Sequence, residues 1–409
     1  LMSDIDHLNS LRTQFVHLFI EDQGQSQDYG LYTHVEYVGD EYLANRAYPA
    51  DSPIYKTVNF TFNRLEDRLQ INADGSPVDE DLFERNLEIK SGEDHRLLIE
   101  MLDALNDPDA NPATVLDTYF NENNVVTWLA VNILLGNANT VFENYYLYNP
   151  LGSKKFYILP WDYDGAFKTE NNPDDYSGQE AIRRRMEYGV SKWWDSVLIR
   201  TWLQQTGSYE KLVARVKELN AGKLNEATIN GLVESYRPVI QPILMSQPDL
   251  QYMLGTSDED KLVEWLAETG EMAGRVQTNH DNFINDPGWP MAFALYSATP
   301  GAGTVEFSWA PSFDFQGDTI SYTLDVSNDP AFSSVVATVK DIPNTPVKTA
   351  GAAASINASI DSSVLTTGTW YWRVIASDSA NPQEHWRPAY SRIAVDGEYY
   401  YGAAAFDMP

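Results

Sequence analysis

Residues Leu134–Phe167 read LLGNANTVFENYYLYNPLGSKKFYILPWDYDGAF, and the fold is decided by how this stretch is read. A helical run through Val125, Trp128, Leu129, Val131 and Ile133 starts from an Asn-rich segment (Asn121, Asn123, Asn124) and stops at Gly136. A polar loop with Asn137, Asn139 and Asn144 follows. Two strand-like runs, Asn144–Tyr148 and Lys155–Pro160, are joined by Asn149, Pro150 and Gly152, so a hairpin is predicted. It delivers Trp161, Asp162, Tyr163, Asp164 and Gly165. Asp162 and Asp164 are two apart, and an extended backbone turns both to one face. Like charges there repel unless a cation or donors sit between them. A hard divalent ion, which takes carboxylate, amide and phosphate oxygens, answers that need. Asn139 and Asn144 are five apart, the spacing at which protein kinases place a catalytic Asp and a metal-binding Asn, with a second metal-binding Asp past a hairpin. Asn and Asp in loops also serve as turn and cap residues, so spacing alone leaves both readings open.

Upstream, FVHLFIED (15–22) and YGLYTHVEYV (29–38) flank the polar QGQSQD and predict another hairpin. A short helical segment around Glu41–Arg46 precedes a third strand, Ile54–Phe62, and the three strands are expected to form one small antiparallel sheet. From Ser91 the period turns helical (Leu97, Leu98, Met101, Leu102, Leu105), with Ser91 and Asp94 placed as a capping box. Downstream of Ser191 the pattern is mostly helical to about Asn285, including YEKLVARVKEL and DKLVEWLAETGEMAGRV. At DPGWP (286–290) Pro and Gly cluster and short alternating strands begin: VEFSW, ISYTLDVS, SVVATV and WYWRVIAS. Trp309, Tyr322, Leu324, Trp372 and Val374 are expected to face its core. The reading is an α+β domain over 1–288 and an all-β sandwich with a tail over 289–409.

The chain has 409 residues, 59 acidic against 28 basic, for a formal charge of -31. Nucleic acid and anionic membranes are disfavoured as partners, because both need cationic density. The same field favours solubility in a salty exterior or attraction of a basic protein. Without cysteine there is no disulfide scaffold, thiolate zinc site or cysteine nucleophile. No apolar run approaches the length of a membrane span. A start at Leu1 within a helical pattern suggests further sequence upstream, with any export signal there.

Taken together, GN-x-N at Gly136–Asn139, NYYLY at Asn144–Tyr148 and PWDYDGAF at Pro160–Phe167 resemble the CotH kinase family, the spore coat protein H-like atypical protein kinases. YGLYTHVEYV and IYK (Ile54–Lys56) are similar to that family's N-terminal pieces, and the likeness covers about residues 10–285. The resemblance implies ATP with Mg2+ or Mn2+ as cofactors. Asp162 would bind the metal with help from Asn144, and Asp164 would be a supporting or alternative ligand. It further implies that Trp161 stacks on the adenine, that Tyr55 covers the other face, and that Lys56 and Glu36 form the phosphate-orienting ion pair. Where the family usually has its catalytic Asp, this chain has Asn139, and an amide cannot accept a hydroxyl proton at neutral pH. The family also carries more sheet ahead of the first strand seen here. Residues 292–397 resemble a fibronectin type III domain, through Trp309, Tyr322, Leu324 and the run Leu365, Thr369, Tyr371 before RVIA.

These likenesses imply an extracellular or cell-surface kinase acting on a Ser-rich, basic protein, or a non-catalytic pseudokinase or surface-interaction protein. Other constellations are weaker. Asp107, Asp109 and Asn111 begin like a calcium loop, but Pro112 stands where Gly is needed. Arg183–Arg185 reads as a salt-bridged helix face. Asp162 and Asp164 on one strand would lie on one side of a sugar, whereas glycoside hydrolysis needs acids across the scissile bond.

Overall fold

Apolar residues on every side of the helix Glu122–Leu135 make it the axis of the N-terminal part of the chain: residues 124–135 are all buried. The structure is a computed structural model that describes residues 1–170, 172–285 and 288–409. Asp286 and Pro287 of the DPGWP junction therefore lie outside the described residues. In chain order the elements are β1 (Thr13–Asp22), β2 (Gln25–Val35), α1 (Asp40–Asn45), β3 (Ile54–Thr57), α2 (Glu80–Glu84), β4 (Leu87–Ser91), α3 (Arg96–Asn106), α4 (Pro112–Tyr119), α5 (Glu122–Leu135), β5 (Tyr145–Tyr148) and β6 (Tyr157–Pro160). Helices α6 (Gly178–Glu187), α7 (Val197–Leu203), α8 (Ser208–Ala221), α9 (Glu226–Leu244) and α10 (Asp258–Ile284) follow. The strands after them are β7 (Leu295–Pro300), β8 (Thr304–Trp309), β9 (Ile320–Ser327), β10 (Val335–Pro343), β11 (Ile356–Asp361), β12 (Gly368–Asp378), β13 (Trp386–Pro388), β14 (Arg392–Val395), β15 (Glu398–Tyr401) and β16 (Ala403–Met408).

The described residues form two compact units. The first comprises Leu1–Asp103, Ala113–Thr169 and Glu210–Ile284; the second comprises Ala104–Pro112, Glu170–Tyr209 and Asn285–Pro409. In the first unit a four-stranded antiparallel sheet runs β4-β3-β5-β6. Helix α5 covers it, and Asn124 binds β6 directly: its Oδ1 accepts from the Ile158 N–H (2.7 Å) and its Nδ2 donates to the Ile158 carbonyl (3.0 Å). The edge strand thus loses a free pair of backbone groups.

Three sequence expectations change here. The β1–β2 hairpin is a separate two-stranded sheet, and β3 instead joins β4 and β5. Gln23 and Gly24 both have positive φ (49° and 81°), which makes a two-residue turn and extends the strands into the polar QSQD. Strand β3 stops at Thr57, because the chain then folds Phe60 and Phe62 inward, with Phe62 left-handed at φ 62°. The Ser91–Asp94 capping box does not form. Ser91 closes β4, and Asp94 Oδ1 alone accepts from the Arg96 N–H (3.0 Å).

In the second unit, β11-β8-β7 form one sheet, β10-β9-β12-β13 a second with β16 also on β12, and β14-β15 a two-stranded third. The expected inward residues are all core: Trp309, Tyr322, Leu324, Trp372 and Val374 are at most 2 % exposed. Helix α6 belongs to this unit. Arg183 and Arg184 pair with Glu180 and Glu187 on its surface, as a salt-bridged helix face should. Arg185 instead lies between the rings of Trp289 and Trp386, at 4.1 and 4.2 Å.

Candidate functional site

Strand alternation sorts the residues expected in the site onto two faces. Lys56 is opposite Glu88 on one side and Tyr146 on the other, and Tyr146 is opposite Leu159. Trp161 continues that face two residues beyond Leu159, its half-buried ring edge-on to Tyr146 with centroids 5.4 Å apart. Tyr55 is on the reverse face. It is 1 % exposed, its hydroxyl meets His95 Nδ1 at 2.8 Å, and the His95 ring packs on Phe83. Tyr55 is therefore core and cannot cover a ligand held by Trp161. Burial raises the hydroxyl pKa of Tyr146, and Glu88 and the 65 % exposed Tyr37 lie near enough to raise it further.

The expected Lys56–Glu36 pair does not form either. Glu36 accepts from Arg46 (2.7 and 2.8 Å), from the Arg12 N–H and from Asn45, so its carboxylate is consumed elsewhere. Arg46, hydrogen-bonded to it, holds Glu36 down to about 2. Lys56 instead has Glu88 at 3.7 Å, and Lys90 holds the other oxygen of Glu88 at 2.7 Å. Glu88 was missed because β4 was missed, although LEIKS alternates apolar and charged residues as a half-buried strand does.

Asn144 and the Asp162 turn meet at one end of the sheet, since Tyr145 pairs with Pro160. Both Asn144 (φ 64°) and Asp162 (φ 55°) are left-handed, so the backbone from Asp162 to Asp164 is not extended as expected. The two carboxylates are nevertheless close. Partial burial raises the Asp162 pKa, the charge of Asp164 raises it further, and Lys56 opposes the rise. Gly165 faces the other loop: a Cβ there would stand 2.7 Å from Asn139 Nδ2 and 3.6 Å from Asn137 Oδ1. Asn139 itself is exposed beside this turn.

Helices hold the two loops in place. Gly136 is left-handed at the end of α5, and a Cβ on it would overlap the Lys168 carbonyl. Asn279 of α10 donates to both the Leu134 and Lys168 carbonyls (3.1 and 2.8 Å), and the Phe167 N–H bonds the Leu135 carbonyl (2.6 Å). The donor set on this rim, two carboxylates and an amide, is the hard-oxygen set that suits Mg2+ or Mn2+. The mutual repulsion of Asp162 and Asp164 is the property a bound cation would relieve.

One rim of the sheet thus carries the Trp161 ring, the Lys56–Glu88 ion pair and the Asp162 and Asp164 carboxylates. No helix among the described residues is long and apolar enough to cross a membrane. No curated protein matches the sequence. The CotH kinase protein model matches residues 1–273, two thirds of the chain and all of the site just described, and the chain belongs to the CotH kinase protein family.

Proposed function

We propose that the first unit is an atypical protein kinase that binds ATP with Mg2+ or Mn2+ and phosphorylates Ser or Thr of a basic protein outside the cell or at its surface. The observation that carries this reading is the gathering of Trp161, Lys56 and Asp162 around Tyr146, on one side of the sheet. Trp161 offers its ring to the adenine. Lys56, ion-paired with Glu88, would face the phosphates. Asp162 and Asn144 would hold the ion with Asp164 in support, and the ion would neutralise charge on the transferring phosphoryl group. In the transfer, the Ser oxygen bonds to the γ-phosphorus, the bond to the β-phosphate oxygen breaks, ADP leaves, and the hydroxyl proton needs an acceptor.

Asn139 supports a second reading, a pseudokinase that binds nucleotide or protein without transfer, because the amide cannot take that proton. Radiolabelled ATP, Mg2+ or Mn2+ and a basic Ser-rich protein distinguish the two. Label transfer that disappears in Asp162→Ala supports the kinase. Metal-dependent nucleotide binding without transfer supports the pseudokinase. Asn139→Asp should then raise transfer by about 100-fold or more, the usual worth of a placed general base.

For residues 289–409 we propose a fibronectin type III-like spacer or adhesion module. A three-strand sheet opposite a sheet centred on β9 and β12 supports it, as does the buried Trp309–Tyr322 contact.

A further inference from the structure

Asn137 is fully buried, at 0 % exposure, yet neither its Oδ1 nor its Nδ2 has a partner within the protein. Asn132, equally buried, gives Nδ2 to the Trp128 carbonyl (2.8 Å) and leaves Oδ1 unpaired. Tyr163 lies between Asp162 and Asp164 in sequence. Its buried hydroxyl turns toward Asn132 but has no partner at hydrogen-bonding geometry. The Asn137 N–H donates to the Asn132 carbonyl (3.0 Å), and Asn137 Oδ1 points at the Gly165 turn. Four buried polar atoms therefore collect under the seam between the Gly136–Asn139 loop and the Asp162–Gly165 turn.

Leaving such groups unpaired forfeits their hydration without return, and apolar side chains of similar size would cost less. Buried donors and acceptors that find no partner within the protein are the groups that ordered water satisfies. We propose that Asn132, Asn137 and Tyr163 form a water-bridged positioning network, which fixes the Asp162–Gly165 turn against the Asn139 loop so that Asp162 and Asn144 reach a common divalent ion. The inference rests on the metal-nucleotide reading of this rim. It assigns these residues no contact with substrate, only control of the residues that make it.

The test uses the full chain with Asn137→Leu and Tyr163→Phe, each read by melting temperature and by calorimetric titration of ATP at graded Mn2+. Apolar replacement should leave the melting temperature unchanged or raised, while the Mn2+ concentration for half-maximal ATP binding rises about 10-fold or more, as when supporting partners of metal ligands are lost. A merely structural role would move the first readout and not the second. Should Asn137→Leu fail to fold, Tyr163→Phe, which removes one oxygen, carries the test alone. Wild-type binding that is lost in Asp162→Ala but kept at wild-type Mn2+ in both network variants overturns the network and spares the reading beneath it. Absence of Mn2+-dependent binding in the wild type overturns both.

Discussion

Glu36 and Glu88 show how one residue's partners decide its role. Glu36 is committed to Arg46, with side chains only 8 and 15 % exposed, whereas Glu88 faces Lys56 at the rim. Glu36→Gln should therefore destabilise the protein by roughly 2 kcal/mol at pH 7 and leave ATP affinity unchanged. The sign with pH follows from its depressed pKa: the contribution is full above the ordinary glutamate value of 4.5 and fades as pH falls toward about 2. Urea melts of the two proteins from pH 7 to pH 2.5 should converge. Glu88→Gln should do the reverse, with little change in stability and weaker ATP binding, measured by calorimetry. A stability loss for Glu36→Gln that persists at pH 2.5 would contradict the ion-pair account. The rim was legible in the sequence where a motif fixes the residue, as at Trp161, Asp162 and Asn144. Tyr55 and Lys56 were not separable, because adjacent strand residues face opposite ways and the sequence does not say which face is the core. Asn137 lay inside the motif, but nothing in a one-dimensional pattern marks an amide as buried without a partner.

At the scale of elements, the end of α5 joins helix termination to the site. Gly136 has φ 59°, which costs a residue with a side chain about 1 kcal/mol. Its missing Cβ also leaves room for the Lys168 carbonyl, which Asn279 of α10 holds. Gly136→Ala should therefore cost about 2–4 kcal/mol, more than the backbone term alone, and should weaken Mn2+-dependent ATP binding. Chemical denaturation and calorimetry on the one variant check both; a loss near 1 kcal/mol with unchanged binding would mean the loop relaxes freely. This helix could be read from sequence at both ends, since Asn121 caps it through the Asn124 N–H and Gly136 closes it. Strand β4 was not readable as part of the sheet, because its five residues follow a loop-rich stretch and pair with β3 far upstream. Helix α9 carries Pro238 and Pro242 within its length, residues that argue against a helix locally. Tertiary packing decides such segments, and local pattern cannot supply it.

On the scale of the molecule, the texture change near residue 290 marks where strands replace helices, but it does not reveal which earlier helices those strands pack against. Residues Glu170–Tyr209 cluster with the C-terminal strands. Their bond to them is specific. Arg387 of β13 is 0 % exposed and donates from Nε to the Pro290 carbonyl (2.8 Å) and from Nη1 to the carbonyls of Arg185 and Tyr188 (2.5 and 3.1 Å). The Trp289 ring is tilted against Tyr188 and lies under Arg185, and the Arg185 guanidinium also bonds Asp174 and the Glu384 carbonyl. A fragment of residues 289–409 keeps every sandwich strand yet leaves the Arg387 Nη1 without two acceptors and uncovers Trp289 and Trp386. Hydrogen bonds to a charged donor are worth about 1.5–3 kcal/mol each, so the deficit is a large share of the 5–15 kcal/mol that holds an ordinary domain together. The fragment should melt well below the same strands in the full chain and bind ANS, as seen by calorimetry and dye fluorescence. Within the full chain, Arg387→Met should restore much of what Arg387→Ala loses, because it fills the volume without a buried charge to satisfy. A fragment that melts cooperatively at the full-chain temperature would show that Glu170–Tyr209 merely rests on the sandwich and that Arg387 finds other acceptors without it.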